Sequence, residues 1–205
     1  MSRRVHAIEA ESYRILRSRI DLSGLPPYSR AVTERVVHAS ADLGYAADLV
    51  IDEPAAQSAA RALADGAPVV TDVAMVAAGI TARRPHCRID DPEAARLAER
   101  TGITRSAAAV RLAFADVGPG AVWVVGCAPT ALAEIIALGV DPVLVVGLPV
   151  GFVGAAESKA ALRASGLPQI SNVSEKGGSA VAAAAVNALL YEPVPAEPPD
   201  RPAAR

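Results

Sequence analysis

Aromatic side chains are scarce in this sequence: one Trp, four Tyr and two Phe among 205 residues. So few rings leave little to stack on unpaired bases, which weighs against a single-strand nucleic-acid binder. Positive charge is not in excess either, because 20 Lys and Arg face 22 Asp and Glu for a formal charge of −2. A surface that wraps a polyanion is therefore not implied, and no nucleic-acid partner is expected. Cysteine is confined to Cys87 and Cys127. Their separation, with no CxxC pair, gives neither a zinc-ligand spacing nor a disulfide framework, and leaves two plain thiols. No apolar run approaches the roughly 20 residues needed to cross a bilayer: those at 121–129 and 142–150 are short, and 180–190 is interrupted by Asn187. The opening MSRRVHAIEAESYR has two arginines but no apolar stretch of signal-peptide length. A cytoplasmic protein with no membrane partner is the expectation. GxGxxG and the GxxxxGK[ST] phosphate loop are both missing, which argues against a dinucleotide or nucleoside triphosphate site.

What the chain has in plenty is small and aliphatic residues. Hydrophobic residues make up 52% of it, enough to bury a core made of Ala, Val, Leu and Ile. Helical spacing runs from Val5 to Ile20 and stops before Pro26 and Pro27; a second helix is expected over 29–43, ended by Gly44. Then short β-branched runs at 49–51, 68–70, 122–125, 143–146 and 170–173 alternate with helical stretches at 54–65, 72–79, 91–100, 104–115, 129–138, 154–165 and 178–191. Continuous apolar strands alternating with helices predict an α/β fold: a doubly wound, mostly parallel sheet with helices on both faces. Ligands of such sheets bind beyond the carboxyl ends of the strands, so the loops after 72, 126, 147 and 173 should meet on one rim. The segment 193–205 is proline-rich and without periodicity, and reads as a disordered tail beside one domain spanning 1–192.

Several residues could carry chemistry on that rim. Gly126-Cys127-Ala128-Pro129-Thr130 leads from a strand into a helix, offering main-chain N–H groups to an anion, or merely starting the helix at Pro129. Gly147 to Gly154 is dense in glycine and carries Phe152, which suits close approach of a bulky planar ligand. Lys176-Gly177-Gly178-Ser179 combines a cation with a serine placed to cap the last helix. His38 follows Arg35 by three residues, so the two share a helical face and could together hold an anion and deliver a proton; the structural alternative is a core histidine beside Val36 and Val37. Arg83, Arg84, His86 and Arg88 form a basic cluster, either a carboxylate clamp or a solvated loop. Arg105 stands beside Thr104 at a helix start, where guanidinium and amides could meet one carboxylate. Asp72 reads as the cap of the helix that follows it, and Met75 as rim packing.

Taken in order, the segments ERVVHAS (34–40), Thr71-Asp72 with Met75-Val76 and Gly79-Ile80, TRSAAA (104–109), APTAL (128–132), Gly147 with PVGFVGAAESK (149–159), and KGGS (176–179) through Asn187-Ala188-Leu189 resemble the precorrin-8X methylmutase family of cobalamin biosynthesis. The likeness covers nearly the whole chain up to about residue 193, and PVGFVGAAESK is its most specific part. The resemblance implies a flavodoxin-like fold, a homodimer, and a cofactor-free isomerase. Its reaction moves one methyl group from C11 to C12 of precorrin-8X, or of its cobalt form, to give hydrogenobyrinate or cobyrinate. It also implies that His38 is the proton donor or acceptor. The matching segments place substrate binding on Ser12, Arg35, Thr104, Arg105, Ser106, Thr130, Gly151, Phe152, Gly154, Lys176, Gly178 and Ser179, with no metal ligands, against a corrinoid bearing many carboxylates. Three positions depart from the pattern: Ala41 replaces a glycine, Cys127 an asparagine, and Glu175 a basic residue. These departures motivate the alternative of a non-catalytic tetrapyrrole-binding or carrier paralogue on the same scaffold.

Overall fold

A computed structural model describes residues 7–191. The proline-rich segment 193–205 and the first residues assigned to the opening helix lie outside the described residues. The chain runs α1 (Ala7–Arg19), α2 (Pro27–Ser40), α3 (Tyr45–Asp48), β1 (Leu49–Ile51), α4 (Glu53–Ala64), β2 (Val69–Thr71), α5 (Ala74–Gly79), α6 (Pro92–Thr101), α7 (Arg105–Val117), β3 (Val122–Val125), α8 (Pro129–Leu138), β4 (Leu144–Gly147), α9 (Ala155–Ala164), β5 (Gln169–Asn172) and α10 (Ser179–Tyr191). Every strand and helix anticipated from periodicity is present, most within two residues of its expected ends. The single-turn α3 is additional, because four residues are too few to establish a helical period.

The five strands form one sheet in the order β1-β5-β4-β3-β2. β2, β3, β4 and β5 are parallel, and β1 pairs antiparallel with β5 at the edge. Side chains alternate across the sheet, as a period of two requires. Val122, Val124, Leu144 and Val146 face a core shared with α2, α4, α5 and α10. Trp123, Val125 and Val145 face a second core with residues of α7, α8 and α9. Both faces are thus covered, which explains why β3 and β4 read as unbroken apolar runs and why even the polar residues of β5 are buried.

Small residues set the spacing of the first core. α10 is buried continuously from Val181 to Leu189, four consecutive alanines included. A Cβ added to Gly79 would lie 2.6 Å from the Ala183 methyl. At that close crossing the Asn187 amide donates to the Gly79 carbonyl at 2.8 Å. The basic cluster is dispersed into the scaffold: the main chain of His86 bridges to Val70, Arg83 donates to the Leu63 carbonyl, and Arg88 pairs with Asp91 and Asp116. It therefore builds the sheet edge and does not form a carboxylate clamp.

The end of α2 also differs from expectation. The helix stops at Ser40, four residues before Gly44, because Ala41 takes the left-handed conformation (φ 54°) and donates its N–H to the Val37 carbonyl. This turn suits glycine, the residue that Ala41 replaces, and an alanine there bears a steric cost of about 1–2 kcal/mol. After allowance for the greater freedom of glycine in the unfolded chain, Ala41→Gly is expected to stabilise the protein by about 0.5–1 kcal/mol, read as a higher urea midpoint at unchanged slope.

Candidate functional site

The carboxyl ends of β2 to β5 point to one rim, and the loops that leave them are bonded to each other. Asp72, just after β2, reaches the loop after β3: its carboxylate accepts from the N–H groups of Gly126 (3.1 Å), Cys127 (2.8 Å) and Ala128 (2.9 Å). Asp72 thus ties down the loop that leads into α8 and does not cap α5, its own helix, which begins at Ala74 with no side-chain cap. The amides of the 126–128 loop are consequently satisfied from within, and are not free for an external anion. Burial pushes the Asp72 carboxyl above its ordinary range, against the opposing pull of those three amides.

The next two loops are stitched main chain to main chain. Gly178 donates to the Leu148 carbonyl at 2.9 Å and Gly151 to the Glu175 carbonyl at 3.1 Å. A Cβ on Gly177 would lie 2.3 Å from the Leu148 carbonyl oxygen and 2.6 Å from that of Pro149, so only glycine fits the seam. Gly154 approaches Pro129 at the start of α8, and Thr130 and Thr104 share a hydroxyl hydrogen bond of 2.8 Å. Thr104 also caps α7 by accepting from the Ala107 N–H. Ser106 follows, half-buried, while Arg105 is exposed and makes no ion pair or hydrogen bond among the described residues. Ser179, expected to cap α10, is instead its first residue.

Apolar side chains stand out into solvent on this polar framework. Phe152 is 95% exposed, Val153 88% and Met75 73%. Soluble surfaces seldom present large apolar groups together without a partner or ligand to cover them. Cations lie on either side of Phe152 and Val153 in sequence, Arg105 before them and Lys176 after them. Lys176 donates to Asp42 at 2.6 Å, which raises the lysine and holds the Asp42 carboxyl below its ordinary range.

That ion pair joins the rim to the end of α2, one turn beyond His38. The His38 imidazole is held from α1: Ser12 Oγ lies 2.9 Å from Nδ1, and the Tyr13 ring stacks on it at 4.8 Å and 15°. With Nδ1 engaged, Nε2 has no hydrogen bond among the described residues and can donate or accept according to the tautomer. Arg35 sits one turn earlier, its guanidinium over the Tyr191 ring at 4.9 Å and its Nη1 3.9 Å from Glu9. Arg17 pairs in two-pronged fashion with Glu34 and clamps α1 to α2. The anticipated residues thus fall into two groups. Ser12, Arg35 and His38 line the α1–α2 seam; Gly151, Phe152, Gly154, Lys176 and Gly178 lie on the loops after β4 and β5, with Ser179 opening α10 and the Thr104–Thr130 pair at the starts of α7 and α8; Asp42 links the seam to Lys176. Among the described residues no three His, Cys, Asp or Glu are grouped to hold a metal ion, and no helix is long and apolar enough to cross a membrane.

Residues 7–192 match the family model described as precorrin-8X methylmutase. The chain belongs to that family. A cobalt-precorrin-8 methylmutase of Methanocaldococcus jannaschii is 43% identical over 163 residues, 78% of this chain and 77% of that protein. A precorrin-8X methylmutase of Pseudomonas aeruginosa is 39% identical over 198 residues, 91% of this chain and 95% of the relative. Among solved structures, a precorrin-8X methylmutase from Thermus thermophilus superposes with a TM-score of 0.82 at 34% identity, covering 90% of this chain and 94% of its own.

Several residues of this methylmutase scaffold escaped the sequence reading. Asp42 and Tyr13 gave no signal there, since their partners lie 134 and 25 positions away. Lys159 did carry one: it falls between Ala155 and Leu162 on the apolar face of α9, where a charge must find partners. The hold of Asp72 on the 126–128 loop gives a direct test. In Asp72→Asn, an NH2 group must face N–H donors where an oxygen stood, and unfolding in urea should show a loss of about 1–3 kcal/mol with the fold retained by circular dichroism.

Proposed function

We propose that this methylmutase moves a methyl group from C11 to C12 of precorrin-8X, or its cobalt form, with His38 as the proton donor or acceptor. The observation that carries the reading is the held imidazole: Ser12 engages Nδ1 and Tyr13 stacks on the ring, which leaves Nε2 as the nitrogen available to a ligand. In the shift the C11–methyl bond breaks as the C12–methyl bond forms, and no atom is gained or lost. A proton or hydrogen bond delivered to the conjugated macrocycle draws electron density from the migrating centre and lowers the barrier, then returns to His38. Family membership and the relatives' names support the same chemistry.

Binding is assigned to the two groups described above. The macrocycle face rests against Phe152 and the glycine-lined turns at 151 and 154, where the absence of side chains permits close contact. Arg35, Arg105 and Lys176 answer its peripheral carboxylates, and Thr104, Ser106, Thr130, Gly178 and Ser179 supply hydroxyl and main-chain donors. A single sheet rim is shallow for so large a ligand. We assign a cytoplasmic homodimer in which the exposed apolar loop and a second copy together deepen the site.

The carrier alternative rested on three departures, and at each of them the main chain keeps a role in the frame of the site. Ala41 closes a helix, Cys127 contributes its main-chain N–H to Asp72, and Glu175 contributes its carbonyl to Gly151.

His38→Ala should abolish conversion of precorrin-8X while the affinity for product stays within about tenfold of wild type. Turnover near the wild-type rate would remove His38 from the mechanism. Arg105→Gln should weaken product binding and flatten its dependence on salt, because an exposed ion pair is screened as ionic strength rises. Titrations at two salt concentrations measure both effects; an unchanged slope would place this guanidinium away from the ligand.

A further inference from the structure

Lys159 is fully buried on α9. Its ammonium donates to three oxygens: Asn172 Oδ1 (2.8 Å), the Ser174 carbonyl (2.5 Å) and the Lys176 carbonyl (2.6 Å). An ammonium has three protons, so each is used. Two of the three acceptors belong to the main chain of the loop between β5 and α10, which is thereby drawn inward at alternate residues, leaving Glu175 and the Lys176 side chain outward. Asn172 completes the arrangement. Its amide donates to Asp48 at 2.7 Å and to the Lys176 carbonyl at 3.0 Å, and the Asp48 carboxylate accepts from the Val173 and Ser174 N–H groups and the Ser174 hydroxyl. A relay Asp48–Asn172–Lys159 therefore balances the buried charge while holding residues 173–176 from beneath. The same loop carries Gly151 through the Glu175 carbonyl and is anchored to Leu148 through Gly178.

We propose that Lys159 is a positioning residue, whose buried ammonium sets the 174–178 loop, and through it the Gly151–Gly154 turn and the Lys176 cation, in the geometry that receives the ligand. The identity of that ligand rests on the corrinoid reading above; the hold on the loop does not. A scaffold with only apolar packing in mind would not spend a lysine here, since burying an ammonium is costly and a methionine fills the same volume. What methionine cannot do is satisfy two inward carbonyls and the Asn172 oxygen.

Protonation gives the arrangement a pH dependence. Burial pushes the Lys159 ammonium down to about 8; Arg163 on the same helix acts in the same direction, whereas Asp48 on α3 and Glu175 on the loop oppose it. Arg163 is itself engaged with the Asn172 carbonyl and the Ser171 hydroxyl, and Lys176 with Asp42. Above that pH the neutral amine keeps two protons for three acceptors, and the loop loosens. Global stability moves the opposite way. The folded value lies below that of the unfolded chain, which retains its proton more firmly, so the contribution of Lys159 to stability rises with pH between about 8 and the ordinary lysine range. A residue acting on overall stability alone would not weaken binding over the window in which it strengthens the fold.

The test compares wild type with Lys159→Met from about pH 6.5 to about pH 9.5, in two arms. In the first, main-chain amide signals of Gly151, Gly177 and Gly178 are followed by NMR without ligand. They should shift with a midpoint near pH 8 in wild type and stay still in the variant. In the second, hydrogenobyrinate is titrated as the product probe. Wild-type affinity should fall through the same midpoint, whereas Lys159→Met should bind about tenfold more weakly at neutral pH with no such step, and its KM should rise more than its kcat falls. Silent loop amides in wild type between pH 7 and 9, or a folded variant with wild-type affinity, would overturn the proposal. If Lys159→Met does not fold, the wild-type NMR titration decides alone. If wild type fails to bind hydrogenobyrinate, the corrinoid reading falls while the first arm still judges Lys159.

Discussion

Helix α10 lies between α2 and the sheet, and its alanine face determines how near those layers come. With few rings available for packing, the core gains its area by close approach of backbones, and Ala182 to Ala185 and Gly79 are where that approach occurs. Dispersion attraction falls steeply with distance, so such a core tolerates neither a gap nor an added methyl group. α2 takes its place from α10, α1 takes its place from α2 through the Arg17–Glu34 pair, and the His38 ring is held between them. The orientation of one imidazole thus follows from the size of residues a layer below it.

At the rim a different device operates. Two buried charges of opposite sign serve as internal ligands for main-chain groups that would otherwise end unsatisfied beyond the strands: Asp72 for N–H groups and Lys159 for carbonyls. Each costs desolvation, seen in the upward displacement of the carboxyl and the downward displacement of the ammonium. In return, loops rich in glycine hold defined shapes without side chains of their own. A surface intended for a broad, flat molecule gains from this arrangement, because the supports lie behind the backbone and leave its outer side clear.

The sheet and nearly all helices were legible in the sequence because both depend on local periodicity, and because β-branched runs such as Val122 to Val125 are too short and too apolar for a surface element. The convergence of four loops followed from the parallel order of the strands. His38 was legible through its spacing from Arg35 and through the family pattern. Its partner Tyr13 was not, since stacking across two helices depends on their crossing angle. Asp72 was read as a helix cap for a similar reason: a carboxylate after a strand suits the next turn in sequence, but here the loop after the adjacent parallel strand delivers three amides 54 to 56 residues away, and they prevail. Ala41 shows the reverse case, in which a departure from the family pattern had its meaning fixed only by a backbone angle.

The seam at Gly177 has a consequence for how this surface can change. Any side chain at that position would collide with the carbonyls of Leu148 and Pro149, so the two loops can neither separate nor slide without breaking Gly178–Leu148 and Gly151–Glu175 together. Substitution is therefore constrained: the backbone of the rim has to keep its shape as a block, and side chains have room to vary at outward positions such as Phe152, Val153 and Glu175. A library that randomised those three sites would explore new ligands at little risk to the frame, whereas one that included the glycine between the loops would chiefly sample broken proteins.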